Sequence, residues 1–220
     1  MITVVYFWRI PKSAAGFAFL HMALDRRKLR KTKGVTFAKM LGTGKGETFT
    51  PRDASLERWG FLICIDEKLV EELDESALVT GWRKRSRSEF RVLLDPIASH
   101  GKWSGAEPFS FSSSSTKDGN VVAITRARIK WMQNFRFWKT VPAVTKSLHQ
   151  SAGLITAFGI VEAPIGLQGT FSLWESAAAM RDFAYKSAPH TAAIDATSRY
   201  KWYAEELFAR FAVREVRGLL

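Results

Sequence analysis

VVAITRARI, residues 121–129, is the stretch on which the fold turns. It is an extended, strand-forming run that begins just past the midpoint of a 220-residue chain, and the second half of the chain repeats from it the pattern of the first. Downstream, apolar periodicity predicts a helix at about 131–149, strands at 154–161 (LITAFGIV) and 169–174 (GTFSLW), a helical stretch at about 176–199 and a last strand near 206–215. Upstream it predicts a strand at 2–9 (ITVVYFWR), an amphipathic helix from 13 to about 30, and a strand at 35–41. A strand at 58–65, a helix from about 66 to 80 and a strand at 89–94 (EFRVLL) complete the first half. Each half reads β-α-β-β-α-β. Between them lies DPIASHGKWSGAEPFSFSSSSTKDGN, rich in Gly, Ser and Pro. The expected organisation is α+β: a first ferredoxin-like module over 1–95, a connector over 96–120 and a second module over 121–220. Each module has helices on one face of an antiparallel sheet, and two such sheets can cover each other. The pair then forms, within one chain, the α+β barrel that single modules make by dimerising. The repeat is one of pattern and spacing, with few residue identities.

Composition sets the remaining bounds. Apolar residues make up 46% of the chain, with eight Trp and sixteen Phe, enough to line a large pocket as well as fill a core. The formal charge of +12 raises nucleic acids, anionic membrane surfaces and acidic ligands as partners. The basic clusters DRRKLRKTK (25–33) and WRKRSRSEFR (82–91) stand near predicted helix ends and read as solvated faces, and no nucleic-acid recognition motif accompanies them. Cys64 is the only cysteine, so intrachain disulfides and cysteine-based zinc clusters are excluded. No apolar run reaches the ~18–20 residues of a membrane span, and the N-terminus lacks the order of a signal peptide. The expected setting is cytoplasmic, peripheral to a membrane surface.

GTGKGETFTP (42–51) fails as a phosphate-binding loop because Lys45 is followed by Gly46, and it reads as a turn between strands. The histidines are His21, His100, His149 and His190, and none belongs to a paired or carboxylate-supported metal motif. One histidine suffices where a porphyrin supplies the other ligands. His21 follows FAFL in the first helix, His100 falls in the connector and His149 at a helix end. His190 differs: Pro189 favours a helix break near 187 and a restart, which puts His190 in a first turn where the helix dipole disfavours imidazolium. With Ile194 a turn later and Phe183 and Tyr185 before the break, the ring could face an apolar space. A core or surface histidine remains open beside a ligand.

The stretches FAKMLGTGKGETFTP (37–51), WSGAEPF (103–109), ITRARI (124–129), FWKTVPA (137–143), GIVEAP (159–164), TFSLWES (170–176), APHTAAI (188–194) and WYAEELFARF (202–211) run in order through the chain. In them the chain resembles the spheroidene monooxygenase family of carotenoid 2-ketolases. The resemblance implies a heme-dependent monooxygenase on a dimeric α+β barrel-type scaffold. It implies heme b ligated by His190 and oxidation of a carotenoid or other long apolar substrate to a ketone. O2 and an external reductant such as a ferredoxin would be consumed. Arg126 or Arg128 would pair with heme propionates or fix a distal ligand, and Phe183, Trp174 and Phe171 are candidates for the lining. Phe171 and Trp174, three apart on a strand, point to opposite faces. No catalytic acid or base is demanded of the protein. Relatives of this barrel also dehydrate aldoximes or degrade heme, and a non-catalytic heme- or apolar-ligand-binding barrel stands as a further reading. A homo-oligomer is expected as an assembly, and nucleic acid is not expected as a partner.

Overall fold

Period-two alternation decides what each strand contributes. In β1 (Ile2–Arg9), Val5 and Phe7 point one way and Val4, Tyr6 and Trp8 the other; in β5 (Val121–Ile129), Val122 and Ile124 oppose Val121 and Ala123. In a computed structural model, which describes residues 1–44, 50, 53–109, 111, 119–163 and 167–219, the first set from every strand converges in one apolar cluster. The second sets face helices, in one separate cluster per half.

The other strands are β2 (Val35–Gly44), β3 (Ala54–Ile65), β4 (Ser88–Gly101), β6 (Leu154–Ala163), β7 (Leu167–Trp174) and β8 (Tyr203–Gly218). The helices are α1 (Ala15–Lys31), α2 (Val70–Asp74), α3 (Ala77–Arg83), α4 (Asn134–His149), α5 (Ala177–Lys186) and α6 (Ala188–Tyr200). The strands form a closed antiparallel barrel in the order β1-β3-β2-β6-β7-β5-β8-β4. The expected α+β fold of two β-α-β-β-α-β halves is therefore the one observed, with a refinement. The two sheets join edge to edge through β4 with β8 and β2 with β6, so that no edge strand is left open.

The β4–β8 seam explains the main departure from the expected element bounds. β4 runs on through 95–101, into the Gly/Ser/Pro-rich stretch, because the sixteen-residue β8 offers a partner from Gly218 back to Leu207. Pro96, which has no N–H to give the ladder, sits beside a register shift. The helix expected over 66–80 is two short helices, the second capped by Ser76, whose Oγ accepts from the Val79 N–H at 3.3 Å. The glycine-rich turn at 45–49 lies outside the described residues.

Gly60 of β3 and Gly169 of β7 hold equivalent places in the two halves, opposite Phe7 and Arg126. A Cβ at Gly60 would run into the Tyr6 carbonyl oxygen, and one at Gly169 into that of Thr125. Both sheets thus need a bare backbone at this point.

Towards one end the barrel interior turns from apolar to ionic. Lys39, Arg126, Glu162 and Glu205 come from four strands; Lys39 reaches Glu162 at 2.7 Å, and Arg126 bonds Glu162 at 2.9 Å and also Glu205. The segment after β4 closes over them. Trp103, fully buried, donates its indole N–H to Glu162 at 2.8 Å, and the backbone N–H groups of Ser104 and Gly105 donate to Glu205. Burial alone pushes the Glu162 carboxyl up, but the bond from Lys39, the charges of Lys39 and Arg126 and the Trp103 bond together hold it below 4.5. A carboxyl depressed in the native state contributes stability above its unfolded value and loses it as pH falls through the native one. Glu162→Gln should therefore cost about 3 kcal/mol in urea unfolding at pH 7, since it strands buried cations. It should also flatten the fall in stability as pH drops from 4.5; an acid limb as steep as in the wild type would exclude Glu162 as a source of it.

Candidate functional site

The two halves place equivalent positions of two neighbouring strands under their helices, and fill them differently. In the first half the outward pairs are Val4–Ile63, Tyr6–Phe61 and Trp8–Trp59; in the second the equivalent pairs are Ala123–Ser172, Thr125–Thr170 and Ala127–Gln168. The first set is a solid aromatic layer. Trp8 stacks on Trp82 of α3 at 5.5 Å between centroids and on Tyr6 at 5.2 Å, and Phe61 packs against both Tyr6 and Trp8. The Tyr6 hydroxyl is satisfied by Asp74, itself paired with Arg91 at 2.8 Å. The second set consists of small or slender side chains, and the space they vacate is a cavity of about 530 Å³ between β5, β7 and β8 and helices α4, α5 and α6.

Its wall is apolar at the helices, with Phe137, Val141, Val144, Met180 and Phe183, and carries hydroxyls of Thr125, Thr170 and Ser172 on the sheet. Trp174 closes the floor, with Phe183 packed at 5.6 Å from its ring. Trp202, also in the lining, has its indole Nε1 buried without a hydrogen-bond partner among the described residues.

His190 stands in this wall, in the first turn of α6. The break and restart expected around it are present: α5 ends at Lys186, Ser187 is extended, and Pro189 occupies the first turn of the new helix. The Ser187 Oγ accepts from the His190 backbone N–H at 3.4 Å. The ring nitrogen Nδ1 lies 2.9 Å from the Ala184 carbonyl oxygen. A carbonyl only accepts, so Nδ1 carries the proton and Nε2 keeps its lone pair. Phe183 covers the ring at 4.8 Å between centroids. Burial pushes the His190 pKa below its ordinary 6.5 and outweighs the bond to Ala184, so the ring is neutral near pH 7. A half-buried neutral imidazole, its far nitrogen fixed as donor and its near one a lone pair, is the donor a metal centre takes.

The structure brings His190, Phe183 and Trp174 together and points the side chains of two other expected cofactor-binding residues, Phe171 and Arg126, elsewhere. Phe171 faces the barrel interior, packed against Phe7, Phe90 and Phe158. Arg126 reaches the cavity wall only through its backbone position: its side chain shares a strand face with Ile124 and Val122 and pairs inside the barrel with Glu162 and Glu205. It is not placed to meet a group beside His190. Arg128 is half exposed, near Glu205 at 3.8 Å.

Of the other histidines, His21 is bonded to buried Asp25 at 2.7 Å, an acceptor also for Trp82 Nε1, and His149 is exposed at the end of α4. His100 is the residue that the sequence pattern concealed. It lies on β4 opposite Phe208 and joins the rim of the same cavity as His190. The signal was the length of β4, hidden by the connector-like composition around it.

No family model matches the chain. It is 33% identical over 211 residues to the spheroidene monooxygenase of Rhodobacter capsulatus, covering 94% of this chain and 87% of that protein. It is 34% identical to that of Rubrivivax gelatinosus, covering 84% and 72%. The protein of that name from Cereibacter sphaeroides is 35% identical over 80% of this chain, which spans about half, 55%, of its length. Among solved structures, an aldoxime dehydratase superposes with a TM-score of 0.59 at 8% identity, covering 96% of this chain and 80% of that one. At that identity the likeness is one of fold. With a third of its residues shared along nearly its whole length, the chain belongs to the spheroidene monooxygenase family.

Proposed function

We propose that the chain is a heme-dependent monooxygenase of the spheroidene monooxygenase type, with heme held in the cavity of the second half by His190. The observation that carries this reading is His190 itself: a neutral ring in an emptied apolar space, oriented by the Ala184 carbonyl so that the lone pair of Nε2 remains for a metal. The residues present fit such a group. Phe183 and Trp174 offer flat apolar surfaces, the small side chains of β5 and β7 leave room for a planar ring, and the Trp202 indole N–H, unpartnered among the described residues, is a donor for a polar substituent or ligand atom.

Bound there, heme would supply reductive activation of O2, the chemistry an amino-acid side chain lacks. The protein would ligate iron through His190 Nε2, keep the imidazole neutral, and exclude bulk water with the aromatic wall. The net reaction on this reading would turn one methylene of a long polyene into a ketone, with O2 as oxidant and with electrons from an external donor of the ferredoxin class and protons from solvent reducing the remaining oxygen to water. The names of the curated relatives support a carotenoid as substrate.

Two measurements test this. The purified protein titrated with hemin should develop a Soret band, and His190→Ala should lose or shift it and recover it with added imidazole; an unchanged spectrum in the variant would remove His190 as ligand. The double substitution Ala123→Val, Thr125→Phe restores part of the aromatic filling of the first half. It should weaken hemin binding by at least ~10-fold through loss of space while leaving the circular dichroism unchanged. Undiminished binding by that variant would place the heme elsewhere.

A further inference from the structure

The start of α4 displays large apolar side chains that nothing among the described residues covers. Trp131, Met132 and Phe135 are 72%, 83% and 76% exposed, within five consecutive residues. A scattered exposed hydrophobe is ordinary, but three large ones side by side are not. Their presentation is rigid: Trp131–Gln133 forms a single 3-10 turn, and buried Asn134 donates its side-chain N–H to the Trp131 carbonyl at 2.9 Å. Phe135 is extended by Trp138, whose ring meets it edge-on at 5.8 Å.

The charged residues next to this patch in sequence are all cations. Arg128, Lys130, Arg136 and Lys139 are exposed, and the sequence has no Asp or Glu from 121 to 161. Glu205, near Arg128 at 3.8 Å, is the acid paired at its margin. Exposed Trp, Phe and Met ringed by Lys and Arg match the interface of a bilayer, where indoles sit at the headgroup level and cations meet anionic lipid. A second copy of the chain is a poorer occupant, because a self-complementary contact would set these cations against each other.

We propose that the 3-10 turn and first turns of α4 form a membrane-docking surface, entering the facing leaflet of an anionic bilayer through Trp131, Met132 and Phe135. The same helix continues into the cavity wall, where Phe137, Thr140, Val141 and Val144 line the space beside His190. A docked molecule therefore holds the cavity against the lipid phase, from which a long apolar substrate can pass without crossing water. That last step rests on the monooxygenase reading; the docking does not.

The test is flotation of the full chain, with and without hemin, on vesicles of phosphatidylglycerol and phosphatidylcholine in equal parts and on phosphatidylcholine alone. The wild type should float with the anionic vesicles and be released by salt. Trp131→Ser with Phe135→Ser should reduce binding about 100-fold, each withdrawn aromatic being worth roughly a factor of ten. Phe19→Ser with Leu24→Ser, which removes exposed apolar side chains from α1, should bind as the wild type does. Equal binding by the α4 variant and the wild type would overturn the proposal. So would absence of wild-type binding, or an α4 variant whose only change is reduced self-association in sedimentation. Hemin spectra of the same samples read the functional proposal separately: docking can fail with the Soret band intact, and the band can fail with docking intact.

Discussion

Closure of the barrel is the constraint on which everything else depends. Eight antiparallel strands leave no edge, so every strand must divide its side chains between one shared interior and one helix-covered exterior. The interior is common to both halves and is filled, with Phe7, Phe90, Phe158 and Phe171 in edge-to-face and stacked contact. Such pairs add about 0.5–1.5 kcal/mol each beyond the area they bury. The one free thiol, Cys64, is sealed in the same interior, and burial pushes its pKa up to about 12, which leaves it unreactive. The interior is thus lined by apolar side chains and covered by Trp103 at its ionic end, whereas the cavity beside His190 lies on the exterior of the second half.

On their exteriors the two halves have divided the work. The register of β1 with β3 is reproduced by β5 with β7, down to the glycine that both require, so the exteriors are the same surface written with different residues. One carries Trp8, Trp59, Tyr6 and Phe61 and packs its helices directly. The other carries Ala123, Thr125, Ala127, Thr170 and Ser172, and its helices stand off around a cavity. Large-to-small differences in a packed layer cost several kcal/mol where the structure cannot collapse into the space. The second half tolerates this because its sheet is held on both edges by the first, through the β4–β8 and β2–β6 seams. A full half supports an empty one.

This division was in the sequence, but it needed the register to be seen. The order of elements was legible from periodicity, as was the helix restart at Pro189, because both are local. Alternation also said that Phe171 and Trp174 face opposite ways. It did not say which way is inward, since that depends on which strands neighbour each other around the ring. The same ambiguity misplaced Arg126, whose partners Glu162 and Glu205 lie 36 and 79 residues away in the chain. His100 was lost for another reason. Gly, Ser and Pro around it argue for a loop, and only the non-local partnership with β8 turns 95–101 into strand.

The position of the His190 ring, by contrast, owes little to the barrel. It is set where three helices meet at Ser187. That residue's N–H donates to the Phe183 carbonyl at the end of α5, its carbonyl accepts the Thr191 N–H at 2.9 Å to begin α6, and its hydroxyl lies 2.8 Å from that of Ser147 on α4. The same hydroxyl accepts from the His190 backbone, and the ring then turns back to the Ala184 carbonyl that the break of α5 leaves unclaimed by the helix. The extended Ser187 ends one helix and leaves the Ala184 carbonyl to fix the tautomer, and Pro189, suited to a first turn, begins another that places the histidine within reach of that carbonyl. In an unbroken helix the carbonyl of residue 184 would bond the N–H of residue 188 and lie about 9 Å behind position 190 along the axis, beyond the reach of its ring. The break, rather than the alanine-rich setting, is what fixes the orientation of the imidazole.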